Sequence, residues 1–118
     1  MDDRLKKALD FANYRQTLNN QLHKLRIKSE GMFMLAEAGG KFTVNRELIC
    51  FLDYVVKEGF TEVVLLDDNK SPVRIEDTSA FLKKVTSRYF EVTNDYFRDA
   101  QLIKKSRSVK SILEIKEE

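Results

Sequence analysis

Cysteine and histidine occur once each, as Cys50 and His23; proline occurs once, as Pro72, and tryptophan not at all. One thiol and one imidazole exclude a disulfide framework, a CxxC redox pair and an intramolecular zinc site built from Cys and His. A reduced compartment is the expectation. Charges interrupt every window long enough to span a bilayer, and Met1-Asp2-Asp3-Arg4 lacks the apolar core of a secretory signal. A cytoplasmic protein without membrane contact is therefore expected. Neither sign of charge dominates, with 21 basic side chains against 19 acidic. At 118 residues the chain is expected to form a single domain, residues 1–118.

What is present is mostly helical period. Phe11, Leu18, Leu25 and Met32 recur every seven residues, and Leu5, Ala8, Ala12, Leu22, Leu35 and Ala36 widen the stripe at steps of three and four. This spacing predicts a helix over about 3–38, roughly 50 Å long at 1.5 Å per residue. Gly39-Gly40 reads as its stop, because glycine readily takes the left-handed backbone that closes a helix. Lys41-Phe42-Thr43-Val44 alternates as one short strand would. Asn45 then caps a short helix over 46–58, whose Leu48, Ile49, Phe51, Leu52, Val55 and Val56 make a wide, mostly buried apolar face.

A β-hairpin follows over 62–76. Val63-Val64-Leu65-Leu66 and Val73-Arg74-Ile75 flank Asp67-Asp68-Asn69-Lys70-Ser71, which is dense in residues that bond their own backbone in turns. Pro72 cannot donate to a ladder, which puts the second strand at an edge or makes Pro72 its first residue. Asp77 caps a last long helix over 78–108, carrying Leu82, Val85, Tyr89, Val92, Tyr96 and Ile103, with Phe90, Thr93, Phe97 and Ala100 as a second stripe beside them. The expected fold class is α+β, helix-dominant: two long antiparallel helices carrying a small α/β head at 39–77.

Each chemical signal has a structural explanation. Asp67, Asp68, Asn69 and Ser71 fail as a calcium loop, because Pro72 stands where the sharp turn needs Gly and Thr78 where the bidentate Glu belongs. His23 lacks an acidic partner one turn away, and Cys50 reads as a packed, inert thiol. Glu91, Asp95 and Asp99 have arginines at helical reach and read as surface ion pairs. Tyr89, Phe90, Tyr96 and Phe97 read as core or interface before base-stacking platforms. No catalytic residue, cofactor, metal site or small-molecule substrate is expected.

Charge is segregated along the chain. Residues 1–28 carry seven basic and three acidic side chains, residues 30–99 nine and thirteen, and residues 100–118 five and three. Lys104, Lys105, Arg107 and Lys110, which an antiparallel pair would bring near Arg4, Lys6 and Lys7, make a candidate phosphate or nucleic-acid contact. Phe90, Thr93, Phe97 and Ala100 make a candidate oligomer interface, since one partner helix already covers the neighbouring stripe. Tyr89, Tyr96, Leu18 and Leu25 are expected in the seam between the long helices, with Phe90 and Phe97 facing the short helix or another subunit.

Several strings resemble small conserved proteins of contractile-tailed phages of the T-even type. They are Leu9-Asp10-Phe11-Ala12-Asn13-Tyr14-Arg15-Gln16-Thr17-Leu18, Gly39-Gly40-Lys41-Phe42, Tyr89-Phe90-Glu91-Val92-Thr93-Asn94 and Lys105-Ser106-Arg107-Ser108-Val109-Lys110-Ser111, together about a quarter of the chain. The resemblance implies a non-enzymatic role in prohead core, neck or other assembly, in the host cytoplasm, prohead or virion, and carries over no functional residue. The expected function is an assembly, scaffold or virion-associated protein that forms homo-oligomers through its long helices and contacts other assembly proteins. A nucleic-acid-binding accessory using the basic helix ends is the alternative. A holdase-like coiled-coil chaperone is the third reading: helices joined by a β-containing head are similar in outline to prefoldin-type subunits, although the extra short helix departs from that pattern.

Overall fold

The computed structural model describes the backbone of residues 2–116 and the side chains of residues 2–106. It is a helix-dominant α+β chain in the order α1 (Asp3–Met32), β1 (Met34–Glu37), β2 (Gly40–Thr43), α2 (Arg46–Lys57), β3 (Val63–Leu66), β4 (Pro72–Ile75) and α3 (Thr78–Lys116). The four strands make two separate antiparallel hairpins, β1–β2 and β3–β4. By its contacts the chain divides into residues 29–94, a wider span than the 39–77 of the sequence reading and called the head from here on, and a second compact unit of residues 1–28 with 95–118.

The caps stand where the sequence puts them. Asn45 Oδ1 accepts the Leu48 N–H at 2.8 Å and opens α2, and Asp77 Oδ1 accepts the Ala80 N–H at 3.0 Å and opens α3. Thr78 fastens that start to the loop behind α2: its hydroxyl donates to the Phe60 carbonyl at 2.7 Å and its N–H to the Thr61 carbonyl at 3.0 Å.

Two boundaries differ from the sequence reading. The first helix ends at Met32, not near 38, because Leu35 and Glu37 turn inward with Phe42 while Met34 and Ala36 face out, a period of two. Ala38 (φ 50°) and Gly39 (φ 83°) form the two-residue loop, both at positive φ as a type I′ turn requires. Gly39-Gly40 is thus a hairpin turn and a first strand residue instead of a helix stop. Gly40 has its own reason: a Cβ there would lie 2.6 Å from Val73 Cγ2, so hairpin one could not approach hairpin two. The last helix continues to Lys116, beyond the expected end at 108.

The head holds the core. Phe42, Val44, Leu52, Val73, Ile75, Phe81 and Val85 are buried together, with Phe42 and Phe81 edge to face at 5.3 Å. Only one face of α2 contributes: Leu52 and Val55 are buried while Cys50, Phe51 and Tyr54 are exposed. The helix is not mostly buried, and Cys50 is not packed. Tyr89 packs against the head core, its ring 5.9 Å from that of Phe33.

In the other unit, Leu18, Leu22 and Leu25 of α1 and Tyr96, Asp99, Ala100 and Ile103 of α3 are half-buried. Leu5, Leu9, Phe11, Phe97 and Leu102 are exposed. Among the described residues of this unit, no side chain is buried.

Candidate functional site

The acidic pair of the second hairpin has a structural task that its sequence did not disclose. Asp67 Oδ1 accepts the N–H groups of Asn69 (3.0 Å) and Ser71 (2.9 Å) and shapes its own turn. Asp67 Oδ2 and Asp68 reach across to β2: the carboxylates take the N–H groups of Lys41 (3.4 Å) and Thr43 (3.1 Å) and the Thr43 hydroxyl (2.7 Å). The Asp68 N–H donates to the Lys41 carbonyl at 2.8 Å. The outer edge of β2 is closed by these bonds. The Ser71 N–H above all, then those of Lys41 and Asn69, hold the Asp67 carboxyl below its ordinary 3.8 against the opposing effect of burial. The expected plain hairpin turn is therefore also a clamp between hairpins. The sequence signal was the doubled acid itself, one carboxylate more than a turn needs.

Several other charged groups are engaged in ion pairs or bonds to the backbone. Arg98 pairs with Asp95 at 3.3 Å and Asp99 at 3.2 Å, the surface ion pairing expected of these two acids; no ion pair of Glu91 is seen among the described residues. Arg88, read as another of their partners, instead donates to the carbonyls of Met32 (3.1 Å) and Met34 (3.2 Å). Lys84 and Glu37 pair at 3.1 Å across an open groove of about 510 Å³ between β1 and α3. Lys83, Ser87 and Glu91 also line the groove. His23 Nδ1 lies 2.9 Å from Arg26 Nη2, exposed. Among the described residues, no group of three or more His, Cys, Asp or Glu could hold a metal ion. No helix of these residues is long and apolar enough to cross a membrane.

The candidate contact residues are surface features. Lys104 and Lys105 are exposed on α3, and Arg4, Lys6 and Lys7 on the first turns of α1; both sets belong to the same compact unit. The side chains of Arg107 and Lys110 lie outside the described residues. Phe90 is 56% and Phe97 67% exposed, so α2 covers neither. Thr93 and Ala100 beside them are half-buried, and the Thr93 hydroxyl donates to the Tyr89 carbonyl of its own helix at 2.8 Å. No family model, curated protein or solved structure matches the chain.

Proposed function

We propose that this protein is a non-enzymatic assembly or scaffold component that self-associates through its long helices, the particle-assembly role that the phage resemblance implies. One observation carries the proposal. The unit of residues 1–28 and 95–118 has helical stripes of Leu, Tyr, Phe and Ile, yet none of its described side chains is buried. Burying an apolar side chain of this size is worth about 1.5–3 kcal/mol relative to leaving it in water. A stripe of five or six such residues left half wet gives a second copy a strong reason to cover it. Phe97 marks the uncovered face, two-thirds exposed and seven residues from the exposed Phe90.

Sedimentation equilibrium from micromolar to tens of micromolar tests the reading. The wild type is expected to associate, and Phe97→Ala to associate more weakly at unchanged far-ultraviolet circular dichroism, since the ring lies outside the monomer's core. A wild type that stays at 13.8 kDa throughout overturns it.

A further inference from the structure

In an antiparallel pair every second residue bonds the neighbouring strand, and the residues between turn their backbone groups to the outer edge. In the first hairpin the Val44 N–H donates to the Phe33 carbonyl at 2.8 Å, so residues 33 and 44 are a bonded pair. Counting on by two, Leu35 with Phe42 and Glu37 with Gly40 are the others. Lys41 and Thr43 therefore face outward on β2, where Asp67 and Asp68 meet them. Met34 and Ala36 face outward on β1. Arg88 takes the Met34 carbonyl at 3.2 Å. Among the described residues nothing bonds the Met34 N–H or the N–H and C=O of Ala36.

This edge borders the groove between β1 and α3, whose lining includes Ala36. Met34 meets Arg88 and Glu37 meets Lys84, so β1 runs antiparallel to α3 along it. The α3 wall is mainly basic: Lys83, Lys84 and Arg88, with Ser87 among them and Glu91 beyond. Lys84 is matched by Glu37 at 3.1 Å. Among the described residues Lys83 has no carboxylate partner, and Arg88 bonds only carbonyls. Two cations without a carboxylate thus stand beside a strand edge with three unbonded groups.

We infer that this groove is a docking site for an extended, acidic segment of a partner protein, which adds to β1 as a third strand. Both properties of the occupant follow from the groove. Open N–H and C=O groups along a strand edge are matched by another extended backbone. Cations without carboxylates are matched by acidic side chains, which form charge-assisted bonds with them. In antiparallel register one residue of the segment sits opposite Ala36 and exchanges both backbone bonds with it. The residue two further on accepts the Met34 N–H, and the Met34 carbonyl stays with Arg88. The residues on either side of the one opposite Ala36 point as Leu35 and Glu37 do, inward toward the α3 wall. An acid opposite Leu35 meets no like charge across the ladder, whereas one opposite Glu37 does. The acidic position is therefore the one opposite Leu35.

The site lies wholly within residues 29–94 and does not rest on helix-mediated self-association. Titrating the isotope-labelled full chain with acetyl-Val-Thr-Val-Glu-Val-Thr-amide tests it, beside the same peptide with Lys in place of Glu. The Ala36 and Met34 amide resonances should move with the glutamate peptide. Their hydrogen exchange should slow about tenfold once nine sites in ten are filled, because exchange then proceeds from the remaining tenth. Lys83→Glu, at an exposed position, should weaken the glutamate peptide about fivefold and not the lysine peptide. Ala36→Pro removes an outward N–H that the hairpin's own ladder does not use, and should abolish binding at unchanged circular dichroism. Shifts confined to other residues, equal affinity for the two peptides, or an Ala36 amide that neither peptide moves up to millimolar concentration overturns the inference. Wild-type affinity in Ala36→Pro does the same; should that variant fail to fold, the wild-type shifts and Lys83→Glu decide. The Ala36 and Met34 shifts appearing on raising the protein concentration without peptide would make a second copy the occupant and overturn the partner segment. Phe97→Ala should bind the glutamate peptide as wild type does, so the groove and the helix face stand or fall separately.

Discussion

Asp67 shows how one side chain sets both a local and a distant structure. Its Oδ1 is used within the turn and its Oδ2 on β2, so Asp67→Asn keeps an acceptor for the turn but turns an amide donor toward the Lys41 N–H. The sign of the pH effect follows from the lowered native pKa. A carboxyl that ionises more readily in the folded chain than in the unfolded one stabilises the fold at every pH above the unfolded value near 3.8. That stabilisation is lost as the pH falls past 3.8 and through the lower native value. Urea denaturation at a series of pH values should therefore find wild type more stable than Asp67→Asn by a constant margin above about pH 5. The margin should shrink below pH 4. A margin independent of pH down to pH 2 would mean that the charge is not what the clamp uses.

At the scale of elements, the first hairpin is the informative case. Leu35 and Ala36 continued a helical stripe on paper, and the alternation that makes Met34–Glu37 a strand is only four residues long, too short to outvote thirty residues of period 3.6 before it. The deciding residues are Ala38 and Gly39. Alanine is not a residue that advertises a left-handed turn, so the type I′ loop had half its usual signature. By contrast, Asn45, Asp77 and the Asp67–Ser71 turn carry side chains that bond the backbone in one recognisable way. These fixed α2, the second hairpin and the start of α3 within a residue or two. The contact residues on α3 were readable as a stripe, but spacing does not separate a face covered by its own chain from one left in water. A left-handed backbone costs an ordinary L-residue about 1–2 kcal/mol, and asparagine less. Ala38→Asn should therefore raise stability by about 1 kcal/mol, seen as a higher urea midpoint at unchanged slope. A lower midpoint would mean that the loop does not hold residue 38 at positive φ.

Across the whole molecule, every described side chain that is buried belongs to residues 29–94. Opening a segment costs free energy in proportion to the packing it gives up, so the two units should answer a protease differently. In dilute solution trypsin should cut first within residues 1–28 and 95–118, at sites such as Arg15, Lys24 and Arg98, and leave the exposed Lys41, Lys57 and Lys70 of the head until later. First cuts at those head lysines would contradict this order. Raising the protein concentration should slow the early cuts if copies cover the helices. The distribution of buried side chains thus assigns the molecule an order of dismantling: terminal helices first, when the chain is alone, and head last. If copies associate as proposed, an unassembled copy would be the one that proteases can grip, and association would set its lifetime.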